Sequence, residues 1–271
     1  MENTNINSKT IVSICNRLIR SFINVLYPSL PDYQPWEVLN KSFSIHTRND
    51  WFTLCSAMDL IDDTESAKEN YSKFGLSGPT KYNEVGEKYL RMYGLLNAFF
   101  LQKEAIIAIL KFCNLSDLKK EKEEIEKLQI MKLRNIAGSH TMSFKDYSNK
   151  KEKSKNSFMI TRFSLDSNNI SFRNEEGVEK ISIINSFIEY NRVIGKKLFI
   201  AVEYLSKSLK SSCKEELNEY IDTLRHINRF FDGEVYTVSE DSVLWNVGDI
   251  DFSNADIEIY DGINDLSDIS Q

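Results

Sequence analysis

Glycine and proline are scarce in this chain. Ten glycines and four prolines in 271 residues exclude a collagen-like repeat, a Pro/Gly-rich disordered scaffold and a turn-dense all-β protein. No run of about 18 uncharged apolar residues occurs, so no membrane span is expected. The opening MENTNINSKT lacks the basic-then-apolar order of a secretory signal. The four cysteines, Cys15, Cys55, Cys113 and Cys213, stand far apart, with no CxxC and no Cys/His pair at zinc spacing. They read as reduced, small apolar residues of a cytoplasmic protein. There is no HExxH, no carboxylate cluster of metal-binding type and no phosphate-cradling P-loop, so neither a metal nor a cofactor is expected. Only three histidines occur, and each can be weighed.

The net charge of -6 is unevenly spread. Residues 232–271 hold eleven acids and no Lys or Arg, which leaves +5 on residues 1–231. A mildly basic body thus carries an acidic tail, and such a body does not repel phosphates. The tail reads either as a solubilising extension or as a segment that lies over the basic surface and competes with its ligand.

Apolar residues recur at helical spacing over most of the body. Residues 11–27 place Ile11, Ile14, Leu18, Phe22, Val25 and Leu26 on one face, and PSLPDYQP ends that helix. A second helix is predicted from Asn49 to about Phe74, started weakly by Thr47 and Asp50, with Trp51, Leu54, Met58, Ile61 and Ala67 inward. GLSGP breaks it. Residues 83–113 form the strongest helix, with Tyr89, Met92, Tyr93, Leu96, Phe99, Phe100, Ile106, Ile107 and Leu110 broad enough to bury on two sides. Ser116 is a candidate cap for a charged helix over 117–136, whose stripe is Leu118, Ile125, Leu128 and Met131. A polar loop over 145–156 contributes Lys145, Lys150, Lys151, Lys153 and Lys155. Residues 157–174 alternate around Asp166–Asn169 as a β-hairpin. Helices follow over about 180–209 and 214–231, and the tail holds two short β-like runs, EVYTV and SVLWNV. The predicted fold is mainly α, a bundle of long antiparallel helices with one inserted β-hairpin over 1–231, followed by the acidic extension 232–271.

Of the histidines, His46 reads as a helix-start residue and His226 as a solvated one. His140 stands in MKLRNIAGSHTM, where a charged helix ends. Arg134 and Asn135 occupy the last turn, Gly138 lets the chain turn, and His140 follows. Arginine at a helix end also complements the dipole, so a plain cap is the competing reading. In an unbroken helix positions 134 and 140 lie about 120° apart. A turn at Gly138–Ser139, or a two-fold axis beside the motif, would bring the groups together.

Arg134-Asn135 followed by four residues and His140 resembles the R-polar-x(4–6)-H signature of the HEPN superfamily, and the flanking long helices resemble its bundle. The resemblance covers roughly residues 49–231. It implies a metal-independent endoribonuclease of the kind found in bacterial toxin and defence systems, a homodimer that pairs two motifs, and possible control by an antitoxin or other regulatory protein. Met142 stands where the HEPN toxins modified by nucleotidyltransferases carry a tyrosine, so that regulation is not carried over. The hairpin and the tail are additions to the minimal bundle. The chemistry is coherent: a histidine suits proton transfer to and from a ribose 2′-OH. Arg134 would stabilise charge developing on the phosphate, and Asn135 would orient His140 or a phosphate oxygen. The five lysines would hold the RNA backbone, or are simply a solvated loop. The alternatives are a non-catalytic helical scaffold and a site that only binds a nucleotide or phosphate.

Overall fold

A computed structural model describes residues 10–26, 34–40, 43–80, 84–115, 117–138, 144–145, 155–156, 159–161, 165, 169–174, 177–207, 236–238 and 243–245. Among these the chain is mainly helical: α1 (Ile11–Leu26), α2 (Pro35–Leu39), α3 (Arg48–Phe74), α4 (Val85–Phe112), α5 (Leu118–Glu126), α6 (Gln129–Gly138) and α7 (Ile183–Ser206). The strands are β1 (Phe144–Lys145), β2 (Lys155–Asn156), β3 (Met159–Ile160), β4 (Asn169–Asn174), β5 (Gly177–Ser182), β6 (Tyr236–Val238) and β7 (Val243–Trp245). No helix among the described residues is long and apolar enough to cross a membrane. The chain divides into two compact units, the first Met1–Asp62, Ala108–Ser116 and Ile194–Gln271, the second Asp63–Ile107 and Asp117–Val193.

The first unit is built on α1. Its expected face, with Ile14, Leu18 and Phe22, is buried beside Leu54, Met58 and Ile61 from the start of α3. The buried Asn16 amide donates to Met58 O at 2.9 Å and to Asp62 Oδ1 at 2.8 Å. The weak start signal of α3 is a full reciprocal cap. Asp50 Oδ2 accepts from the Thr47 N–H at 2.9 Å, and Thr47 Oγ1 accepts from the Asp50 N–H at 3.1 Å. A side chain at Gly195 on α7 would meet Ile11 Cγ2 at 2.8 Å, so this glycine permits the close approach of α1. The short helix α2 was not foreseen; Pro35 at its first turn supplies a preset φ. The β-like runs of the tail pair antiparallel as β6 and β7, Thr237 opposite Leu244. The remainder of the tail and the predicted helix 214–231 lie outside the described residues.

In the second unit α3 and α4 run antiparallel. Thr64 meets Gln102, while Gly78, past the end of α3, lies against the Arg91 guanidinium. The break expected at GLSGP is made by Gly75 and Gly78 with φ of +59° and +70°. The inward residues of α3 differ from expectation here. Ala67 is exposed, whereas Thr64, Glu65 and Lys68 are buried.

The predicted helix 117–136 is two helices. Asp117, not Ser116, caps α5 by accepting from the Lys120 N–H at 3.1 Å. The Lys127 and Leu128 N–H groups then bond three residues back, to Glu124 and Ile125, which tightens and ends α5. The re-aimed α6 buries Ile130, Met131, Leu133, Ile136 and Ala137, a wider face than the single stripe predicted. Gly138 is the last residue of α6, so the helix continues through the position read as its turn.

The hairpin is extended by a third strand, β5, whose last three residues fall in the segment expected to open the next helix. β3 pairs with β4, and β4 with β5, in register Ile170↔Ile181 and Phe172↔Glu179. The register Asn174↔Gly177 leaves a two-residue connection, closed by Gly177 at φ +138°. The following helix therefore begins at Ile183, not at Lys180. Ile160, Ile170, Phe172 and Ile181 make the buried face of this sheet.

Candidate functional site

Arg134 and Asn135 sit side by side on α6, both half-buried at the edge of its apolar face. Contacts from other elements hold this helix. Lys132 Nζ pairs with Glu179 Oε2 on β5 at 2.9 Å, and the Arg134 guanidinium carbon lies 4.1 Å from the centroid of the Phe100 ring on α4. The same ring has Lys103 Nζ 4.5 Å from its centroid. Lys103 is 1% exposed and is neutralised by Glu126 at 2.8 Å and Glu104 at 3.0 Å. An aromatic ring attracts cations to its face, so Phe100 is a seat for the arginine. Arg134 Nη1 donates to Asn135 Oδ1 at 3.1 Å. Among the described residues it has no carboxylate partner and caps no carbonyl of the last turn.

These two side chains open into a depression of about 580 Å³ lined by Tyr93, Leu96 and Asn97 of α4 and by Arg134, Asn135, Ala137 and Gly138 of α6. Tyr93 is 41% exposed and stacks on Tyr89 with ring centroids 5.9 Å apart. Burial and the neighbouring Tyr89 push its phenol above the ordinary tyrosine value. Asn97, one turn further, is exposed.

Of the predicted site residues, the structure thus brings Arg134 and Asn135 together. His140, Lys150, Lys151 and Lys153 lie outside the described residues. Lys145 and Lys155 are register partners in the antiparallel pair β1–β2, so the segment read as a plain loop is closed at its base by strands. His46 is exposed, and its backbone N–H, at 3.1 Å from Asp50 Oδ2, joins the start of α3. His226 is outside the described residues. Tyr93, Asn97 and Phe100 were missed as site residues. Tyr93 and Phe100 had been read as core because α4 is apolar nearly all round. Such a helix has more apolar residues than its neighbours cover, and the surplus surfaces at Leu90 and Tyr93.

A second polar group lies buried inside the same unit. Lys68 Nζ donates to Glu65, to Gln102 Oε1 at 2.9 Å and to Asn191 Oδ1 at 2.7 Å. It lies 5.3–5.6 Å from the ring centroids of Phe99, Phe187 and Tyr190. Gln102 Nε2 donates to Glu65 Oε1 at 2.7 Å, and Tyr190 OH to Phe99 O at 2.8 Å. Burial holds the Lys68 amine below the ordinary lysine value, with Glu65 opposing. Among the described residues no three His, Cys, Asp or Glu side chains come together as a metal site. Comparison with known proteins gives no match to any family model, curated protein or solved structure.

Proposed function

We propose that this chain is a HEPN-like, metal-independent endoribonuclease, of the toxin or defence type, whose active site is completed at a homodimer interface. The observation that carries the reading is the Arg134–Asn135 pair facing an open depression, with the guanidinium seated on Phe100 and, among the described residues, unused as a helix cap. A guanidinium held by a ring, with its donors turned to a depression, suits a phosphate oxygen. Two peptide units separate Gly138 from His140, a span of at most about 7 Å. In the sequence His140 follows Gly138, a lining residue, by two positions.

In this reading His140 takes the 2′-OH proton, and the same residue of the second copy returns a proton to the leaving 5′ oxygen. Arg134 stabilises the charge that develops on the phosphorane, and Asn135 orients the guanidinium through its Oδ1. Leu90, one turn before Tyr93 on α4, is 68% exposed, an apolar side chain that a second copy would cover. The lysines at 145 and 155, opposite one another across β1–β2, and those at 150, 151 and 153 would hold the RNA backbone.

Single-turnover cleavage of a labelled RNA in EDTA tests the assignment. His140→Ala is expected to lose at least the roughly 100-fold typical of general acid–base catalysis. Arg134→Lys is expected to lose activity as well, because an ammonium lacks the planar fork. Both should melt like the parent. Cleavage that persists in both variants removes the assignment. An intact chain with no cleavage, even after deletion of residues 232–271, moves the conclusion to a non-catalytic helical scaffold.

A further inference from the structure

The first unit carries a separate depression that the Arg134 site does not use. Its volume is about 540 Å³, and Gln34, Pro35, Trp36, Arg48, Trp51 and Phe52 line it. Two elements build it. Pro35 and Trp36 come from the first turn of α2, while Arg48, Trp51 and Phe52 occupy positions i, i+3 and i+4 at the start of α3. Two of the three tryptophans in the chain therefore meet in one place. Phe52 is 51% exposed, and the Arg48 guanidinium carbon lies 5.2 Å from its ring centroid.

The chemistry of this lining is selective. Three aromatic rings and a proline ring offer their faces, Gln34 offers an amide, and among the described residues of the lining the only charge is positive. The two acids closest in sequence are turned to backbone. Glu37 Oε2 accepts from the Gln34 N–H at 3.2 Å, and Asp50 Oδ2 accepts from the His46 and Thr47 N–H groups at 3.1 and 2.9 Å. A cationic ligand for an aromatic cage would meet Arg48, with no acid among the described lining residues to balance it. A flat, negatively charged ligand meets rings for its face and a guanidinium for its charge. That combination is a nucleobase with its phosphate.

We propose that this depression binds an unpaired nucleotide, with the base stacked on Trp36 and Trp51 and the phosphate held by Arg48. The proposal stands independently of the nuclease assignment, since the two depressions share no lining residue. A short single strand is the natural occupant, and a free mononucleotide offers the same chemistry.

Tryptophan emission reads the site directly. A short oligodeoxynucleotide is the probe, because without a 2′-OH it is not open to the cleavage proposed above. Saturating probe is expected to quench the emission of the full-length protein. Trp36→Ala is expected to weaken binding roughly 5- to 150-fold, the range for loss of one stacking partner. Arg48→Gln should weaken it too and reduce the slope of log affinity against log salt by about one. Trp51 is half-buried, so Trp51→Phe, which keeps a ring, accompanies Trp51→Ala, and thermal melts confirm folding. Arg134→Ala should leave the quench intact, which separates failure here from failure of the nuclease reading. AMP as a second probe distinguishes the source: equal affinity assigns the site to free nucleotides, tighter oligomer binding to single strands. Unchanged emission at saturating probe, binding untouched in both Trp36→Ala and Arg48→Gln, or quenching by a proline-rich peptide or choline but not by nucleotide would overturn the proposal.

Discussion

Lys68 donates each of its three ammonium protons to a side-chain oxygen of the same unit and is 1% exposed. A buried ion pair earns little net stability, yet removing one partner strands the other. Glu65→Leu or Lys68→Met alone is therefore expected to cost about 3–5 kcal/mol. The double variant should cost clearly less than the sum, because both charges leave together. Urea denaturation of the four-member cycle checks this, and additive losses would show the two residues to be uncoupled. The sequence did not display this group: Thr64, Glu65 and Lys68 are polar by type, and nothing local says that they point inward. They do so because Gln102 and Asn191, distant in the chain, complete their bonds. The Arg134–Asn135 pair was legible because both residues are adjacent at a helix end. Its ring seat, Phe100, was not, since the contact spans 34 positions.

The bounds of α1 and α3 follow from their apolar repeats nearly to the residue, while the buried face of the second half of α3 does not. Errors came where backbone hydrogen bonding decided. The turn at Lys127–Leu128 interrupts a sequence rich in helix formers and gives no Gly or Pro to announce it. The helix expected from about Lys180 takes in the last three residues of β5, which pair with β4 instead. The glycine break was visible, and its role goes beyond flexibility. Gly78 has φ +70°, and a Cβ there would run into the Arg91 side chain. Gly78→Ala is expected to destabilise by about 1–2 kcal/mol through backbone strain at this positive φ, since the flexible Arg91 head can shift aside. Chemical denaturation measures it, and a change within about 0.5 kcal/mol, the range of a neutral surface substitution, would mean that the connection rearranges freely.

At the scale of the whole chain, the mainly helical fold was legible from period alone, whereas its division into two units was not. The units respond to alkali in a way that can be worked out. Burial pushes the Cys113 thiol from 9.0 up to about 12, and raises Cys15 further. Tyr71 is raised from 10.0 to about 12 by the same cause. A neutral buried acid resists ionising while its unfolded counterpart ionises freely. The contribution of the thiols is therefore complete below pH 9.0 and is lost as pH climbs toward about 12. Lys68 acts in the opposite sense: its folded value is lowered, so the unfolded state binds more protons and stability rises as the amine discharges. The first unit, which holds Cys15 and Cys113, should lose stability first. Melting temperature is expected to hold to about pH 9 and then fall, with a shallower fall in Cys113→Ala. A flat profile would contradict the burial of these thiols. Sedimentation tests the assembly: a dimer is expected at micromolar concentration, and a fully active monomer of 31.4 kDa would remove the shared-site arrangement.

The saturated amine of Lys68 also has a chemical consequence. An amine whose lone pair is protonated and enclosed by three acceptors and three rings cannot attack an activated ester. Lys119, with 88% of its side chain exposed, reacts at once. Acylation at Lys68 must wait until α3, α4 and α7 part around it, so its labelling clock runs at the rate or population of that opening. Mass-resolved labelling of the native protein would therefore time the breathing of the second unit, with the surface lysines serving as the zero of the clock.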